Sequence, residues 1–122
     1  MKSKLFVIGK PIKHSRSPTI HNFWIEKYSL NARYNKLEVD KTEIKDLIQK
    51  VRDGKIKGLN ITIPYKKIIT DFVDDVEESA LRSNAINTVY KVKDKIIGAN
   101  TDGIGFISSL KKDLSFNINS NT

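Results

Sequence analysis

Cysteine is absent from this 122-residue sequence, which excludes a disulfide framework and thiolate-held metals. Long apolar runs are missing as well, so no segment approaches the roughly 20 residues that a bilayer-spanning helix needs. The start, Met1-Lys2-Ser3-Lys4-Leu5-Phe6, has too little apolar length for a secretory leader, and the expectation is a cytoplasmic chain that stays out of membranes. Histidine occurs twice, at His14 and His21, without carboxylates at ligand spacing nearby, so no metal site is expected. Acids are the scarcer charge, with 14 Asp and Glu against 22 Lys and Arg for a formal net charge of +8. That excess suits an anionic partner. The lysines are nonetheless scattered and often sit beside acids, as in Glu43-Ile44-Lys45-Asp46, without the dense aromatic-interleaved basic patch of a nucleic-acid binder.

What is present is the makings of one globular domain, with 39% hydrophobic and 30% charged residues. Leu5-Phe6-Val7-Ile8-Gly9 reads as a buried parallel strand. Ser17-Pro18 reads as N-cap and first residue of a helix that puts Ile20, Phe23, Trp24 and Tyr28 on one face against the sheet. A second strand follows over Arg33 to Val39, then a helix capped by Asp40 and Glu43, with Ile44, Leu47, Ile48 and Val51 inward and a stop at Asp53-Gly54. Gly58 to Ile63 makes a third strand, ended by Pro64. Tyr65 to Phe72 and Val76 to Leu81 are expected as short helices, and Asn87 to Val92 with Lys95 to Gly98 as a hairpin turning at Lys93-Asp94. A last helix is expected from Asp102, with Ile104, Ile107 and Leu110 inward, before a polar tail. The predicted fold is α/β: a single three-layer domain whose mixed, mostly parallel sheet is flanked by helices. In such folds ligands bind beyond the carboxyl ends of the parallel strands, where the polar clusters at Lys13 to Ser17, Asn60 to Lys66, Asn87-Thr88 and Asn100 to Asp102 should converge.

Those clusters carry the candidate chemistry. Ser15 and Ser17 precede a helix start whose amides attract anions, although a serine there can equally serve only as a cap. Asn60 and Thr62 share one side of an extended strand, with Lys66 just past its end. A lysine so placed can bind an anion or exchange a proton with a substrate alcohol, whereas most single lysines are solvated surface charges. Asp102 can cap the last helix and still present its second carboxylate oxygen to a cleft. Gly103-Ile104-Gly105 stands at a strand-to-helix junction but lacks the third glycine and the downstream βαβ unit of a dinucleotide loop, so no cofactor-binding (Rossmann) domain is expected on this chain.

Taken in order, Gly9-x-Pro11-Ile12-x-His14-Ser15-x-Ser17-Pro18-x-Ile20-His21-Asn22, Asn60-Ile61-Thr62-Ile63-Pro64-Tyr65-Lys66, Ala85-Ile86-Asn87-Thr88 and Asn100-Thr101-Asp102-Gly103-Ile104-Gly105 closely resemble the amino-terminal domain of the shikimate dehydrogenase family, from Leu5 to about Leu110. The resemblance implies reduction of 3-dehydroshikimate to shikimate with NADPH, in aromatic amino-acid biosynthesis. It implies that Ser15 and Ser17 hold the substrate carboxylate, that Thr62, Asn87 and Asp102 bond its ring oxygens with Asn60 as a lesser partner, and that Lys66 and Asp102 are the catalytic pair. On this resemblance residues 1–102 form the substrate domain and 103–122 a connecting helix and polar tail leading to an NADP-binding domain outside the chain. The chain alone is then expected to bind substrate with little or no turnover. A stand-alone module for shikimate-like carboxylates and a quinate/shikimate dehydrogenase remain as alternatives, and a homodimer stays open. One departure is Asn84, where the family usually carries glycine.

Overall fold

The computed structural model describes residues 3–101; Asp102, the expected last helix and the tail, and with them the 102/103 boundary, lie outside the described residues. Six strands form one mixed sheet: β1 (Ser3–Gly9), β2 (Ala32–Glu38), β3 (Gly58–Ile61), β4 (Asp75–Val76), β5 (Thr88–Val92) and β6 (Lys95–Ala99), in the order β2-β1-β3-β5-β6-β4. The pairs β1/β2, β1/β3 and β4/β6 are parallel, while β3/β5 and the hairpin β5/β6 are antiparallel. Helices α1 (Ser17–Lys27), α2 (Ile44–Arg52) and α3 (Glu78–Ser83) complete the α/β fold.

Alternation along β1 creates two cores. Leu5 and Val7 face one side, packing with Ile25, Ala32 and Tyr34 beside α1, while Ile8 faces the other, packing with Ile44, Leu47, Ile48 and Val51 of α2. The expected cap of α2 is present as a reciprocal pair of Asp40 and Glu43, formed on a short 3₁₀ turn, Lys41–Glu43, that runs into the helix. Gly54 ends the α2 segment at a φ of +81°, a conformation that glycine adopts without strain.

The face of α1 differs from expectation. Ile20, Phe23 and Tyr28 are exposed, and His21 and Ile25 are the buried residues. A fully buried aliphatic side chain contributes about 1.5–3 kcal/mol, so the four buried in α2 fix its orientation while the single buried aliphatic of α1 leaves polar contacts to decide. Asn22 supplies them: the Tyr34 N–H donates to its Oδ1 at 3.0 Å and its Nδ2 donates to the Tyr34 carbonyl at 2.8 Å, as a neighbouring strand would on this edge of the sheet. The His21 ring lies 4.2 Å from that of Tyr34, and the two contacts together turn α1 so that Ile20 and Phe23 face away from the core.

The start of α1 differs too. Arg16 occupies the N-cap, Ser17 and Pro18 are the first helical residues, and the Ser17 N–H donates to Ser15 Oγ at 3.3 Å, a serine turn that serves the end in place of a Ser17 cap. Between Tyr65 and Phe72 only Ile68–Phe72 is helical, as a 3₁₀ turn. Asp75–Val76 is a strand on β6, so α3 starts two residues later than Val76, at Glu78.

Candidate functional site

The carboxyl ends of β1 and β3, the start of β5 and the end of β6 share one rim of the sheet, because β5 runs antiparallel to β3 and so begins where β3 ends. A cavity of about 450 Å³ opens there, lined by the polar side chains of Ser17, Asn60, Thr62, Lys66, Asn87 and Thr101. Val7, Ile20, His21 and Ile61 form its less polar walls. Five of the residues singled out in the sequence therefore meet: Ser17, Asn60, Thr62, Lys66 and Asn87. Ser15 is not among the lining residues; it sits just before Ser17, half-buried, with its hydroxyl accepting the Ser17 amide. Asp102 follows Thr101 in sequence and lies outside the described residues.

Close approach of two loops builds this rim. The Lys10 N–H donates to the Ile63 carbonyl at 3.1 Å and the Thr62 N–H to the Ile8 carbonyl at 2.9 Å, which lays the Gly9 turn across the end of β3. A Cβ at Gly9 would stand 2.4 Å from Thr62 Cγ2 and 2.8 Å from the Ile63 oxygen, so only glycine lets the turn pass. Lys66 is half-buried, and its carbonyl accepts the Ile86 N–H at 2.9 Å, which ties the loop after β3 to the segment that carries Asn87. Asn84 ends α3 in the left-handed region, at φ +55° and ψ +35°, a conformation that glycine adopts freely and that asparagine tolerates better than most residues.

The polar side chains form a continuous hydrogen-bonded chain. Tyr34 Oη donates to Asn60 Oδ1 at 2.6 Å, and Asn60 Nδ2 donates to the Asn87 carbonyl and to Thr88 Oγ1, both at 3.1 Å. Thr88 Oγ1 donates to Asn87 Oδ1 at 2.9 Å and lies 2.8 Å from Thr101 Oγ1. Two further contacts run from Asn87 to the Thr101 backbone. Burial pushes the Tyr34 phenol well above its ordinary pKa, with the Ser17 hydroxyl offsetting the effect in part. Tyr34 and Thr88 do not stand out in the sequence: a tyrosine in an alternating strand signals core, and Thr88 shows only as part of a motif. Thr101 likewise shows only inside the Asn100 to Gly105 motif. Chemically the rim offers a cation, hydroxyls and amides around a space for one small ligand, a set suited to an oxygen-rich anion. Among the described residues no cluster of His, Cys, Asp or Glu could hold a metal ion, and no helix is long and apolar enough to cross a membrane.

Fold and cavity together define a three-layer α/β domain with a polar small-molecule cleft at one rim of its sheet. Residues 7–89 match the family described as the shikimate dehydrogenase substrate binding domain, and the chain belongs to that family. It is 54% identical over 112 residues to the NADP(+) shikimate dehydrogenase of Pelagibacter ubique, an overlap covering 92% of this chain and 42% of that protein. It superposes on the shikimate dehydrogenase of Aquifex aeolicus with a TM-score of 0.77 at 40% identity, over 91% of this chain and 42% of that one. The shikimate 5-dehydrogenase of Thermus thermophilus, solved in complex with NADP(H) and shikimate, superposes with a TM-score of 0.75 at 32% identity, again over 91% and 42%. The chain thus spans about two-fifths of the length of these relatives.

Proposed function

We propose that this chain binds shikimate and 3-dehydroshikimate as the substrate half of an NADP-linked shikimate dehydrogenase of aromatic amino-acid biosynthesis. The observation that carries this is the meeting of Ser17, Asn60, Thr62, Lys66 and Asn87 on one cavity from separate parts of the chain. The substrate carboxylate goes to the hydroxyls of Ser15 and Ser17 at the α1 start, where Ser17 lines the cavity and Ser15 sits just before it. Its ring hydroxyls go to Thr62, Asn60 and Asn87, which line the same cavity.

The described residues offer no glycine-rich cradle for a dinucleotide, so none of them is assigned to NADP(H). Bound elsewhere in the complete enzyme, that cofactor supplies the hydride. What this chain contributes is the proton. Reduction of a ketone leaves negative charge on its oxygen, and Lys66 gives that oxygen a proton, with Asp102 orienting lysine and hydroxyl.

Titration of the chain with shikimate, followed by the fluorescence of its single tryptophan, Trp24, tests the binding claim. Saturable binding that is lost when the carboxylate is amidated supports it, and no binding up to millimolar concentrations rejects it. In a dehydrogenase carrying this domain, Lys66→Ala lowers kcat by orders of magnitude with little change in KM; an unchanged kcat rejects Lys66 as proton donor.

A further inference from the structure

Tyr34 is not among the residues lining the cavity, yet its fully buried side chain is joined to the wall by a short hydrogen bond to Asn60 and by its interaction with the Ser17 hydroxyl. The direction of that bond is fixed from the far end of the amide. Asn60 Nδ2 faces the Asn87 carbonyl at 3.1 Å, and a carbonyl can only accept, so the amide cannot be turned round. Both amide hydrogens are then committed, to the Asn87 carbonyl and to Thr88 Oγ1. Tyr34 donates to one lone pair of Oδ1. A single lone pair is all that Asn60 has left to offer a ligand.

We propose that Tyr34 is the positioning residue that holds Asn60 as an acceptor-only contact, so that the subsite beside β3 takes a ligand hydroxyl through its hydrogen and turns away a carboxylate or ketone oxygen. This rests on the assignment of the cavity to shikimate-type ligands and deepens it. A polyhydroxylated acid has two kinds of oxygen, and a wall that can only accept sorts them. The hydroxyl edge of the ring is drawn to Asn60, which leaves the carboxylate to the hydroxyl of Ser17, another of the lining residues. Tyr34 is itself held, with Asn22 bonded to both of its backbone groups and the His21 ring 4.2 Å away, so three residues act through one hydroxyl. Its raised pKa keeps that hydroxyl protonated, and hence a donor, throughout the neutral range.

Tyr34→Phe removes the hydroxyl and keeps the ring. In the ligand-free chain, the side-chain amide signals of Asn60 in nitrogen-15 NMR should shift and exchange faster in this variant; unchanged signals overturn the positioning role whether or not a ligand binds. Shikimate affinity is then compared in wild type, Tyr34→Phe, Asn60→Ala and the double variant. The expected result is a Kd raised about tenfold by Tyr34→Phe and a double variant weaker than Asn60→Ala by much less than that tenfold, because Tyr34 acts chiefly through Asn60. Effects that multiply in the double variant, as two independent packing losses would, contradict the proposal. Should Tyr34→Phe fold poorly, analogues of shikimate with fluorine in place of one hydroxyl decide the polarity: fluorine accepts but cannot donate. One ring position should then show a loss of about tenfold or more in wild type that disappears in Asn60→Ala, and equal losses in both proteins overturn it. If the wild-type chain binds no shikimate, the functional assignment fails, and the Asn60 signals still decide what Tyr34 does.

Discussion

Asn87 grips Thr101 by both of its backbone groups: the Thr101 N–H donates to Asn87 Oδ1 at 2.8 Å, and Asn87 Nδ2 donates to the Thr101 carbonyl at 2.6 Å. The same amide accepts from Thr88 Oγ1 at 2.9 Å and donates to Asn100 Oδ1 at 3.3 Å, so every hydrogen-bonding position it has is used. The longest of the four is the one that a ligand oxygen displaces at least cost. Asn87 thus fastens the end of β6 to the start of β5 and, on the proposed binding of shikimate, turns one N–H to the ligand.

Replacing Asn87 with alanine is expected to weaken shikimate binding more than tenfold and to lower stability by about 1–3 kcal/mol, the cost of leaving buried partners unpaired. Asn87→Asp should do no better, because a carboxylate would face the Thr101 and Asn100 oxygens. Titration and urea unfolding of the three proteins check this, and an aspartate variant that binds like wild type would contradict the donor role of Asn87 Nδ2.

Gly9→Ala tests the loop crossing. The new methyl would stand 2.4 Å from Thr62 Cγ2, inside any tolerated contact, so Thr62 must leave its place in the cavity wall. The expectation is destabilisation of about 1–3 kcal/mol together with loss of ligand affinity. Stability and affinity both within error of wild type would mean that the turn does not cross the end of β3 at this distance.

The Arg52–Asp74 pair predicts a pH dependence. Arg52 donates to both Asp74 oxygens, at 2.8 and 3.2 Å, and the Ile96 N–H donates to Oδ2 at 2.8 Å. Chiefly the Arg52 bond, and then the Ile96 amide, hold the Asp74 carboxyl below the usual carboxylate range. The unfolded chain therefore takes up the Asp74 proton more readily than the folded one. The stabilisation is complete above the ordinary carboxylate pKa and is lost as pH falls through the lower, folded value. Urea midpoints measured from pH 7 down to pH 3 should fall, and Asp74→Asn should make that fall shallower. An identical fall in the variant would remove Asp74 as a contributor.

Much of the scaffold is legible in the sequence because each signal is local. The Asp40/Glu43 cap, the four-residue stripe of α2, the glycine after it and the turn at Lys93-Asp94 are all written within a few adjacent residues. The face of α1 is not legible, because its aromatic stripe resembles a core pattern while its orientation is decided by Asn22 bonding a strand that comes later in the chain. Val76 reads as the start of a helix because a two-residue strand carries no strand period, and the pairing partner of Asp75–Val76 on β6 lies more than twenty residues on. In the cavity, Ser17, Thr62, Lys66 and Asn87 show in their motifs, but the standing of Asn60 does not. Its importance comes from Tyr34, Asn87 and Thr88, three partners that only the folded sheet brings to it.

An amide NMR titration of the chain with shikimate tests most directly whether the rim of the sheet is the binding site. Saturable shifts are expected at Ser15, Ser17, Asn60, Thr62, Lys66, Asn87 and Thr101, all with one Kd. Shifts confined to another face of the molecule, or an unchanged spectrum at millimolar shikimate, would contradict the assignment.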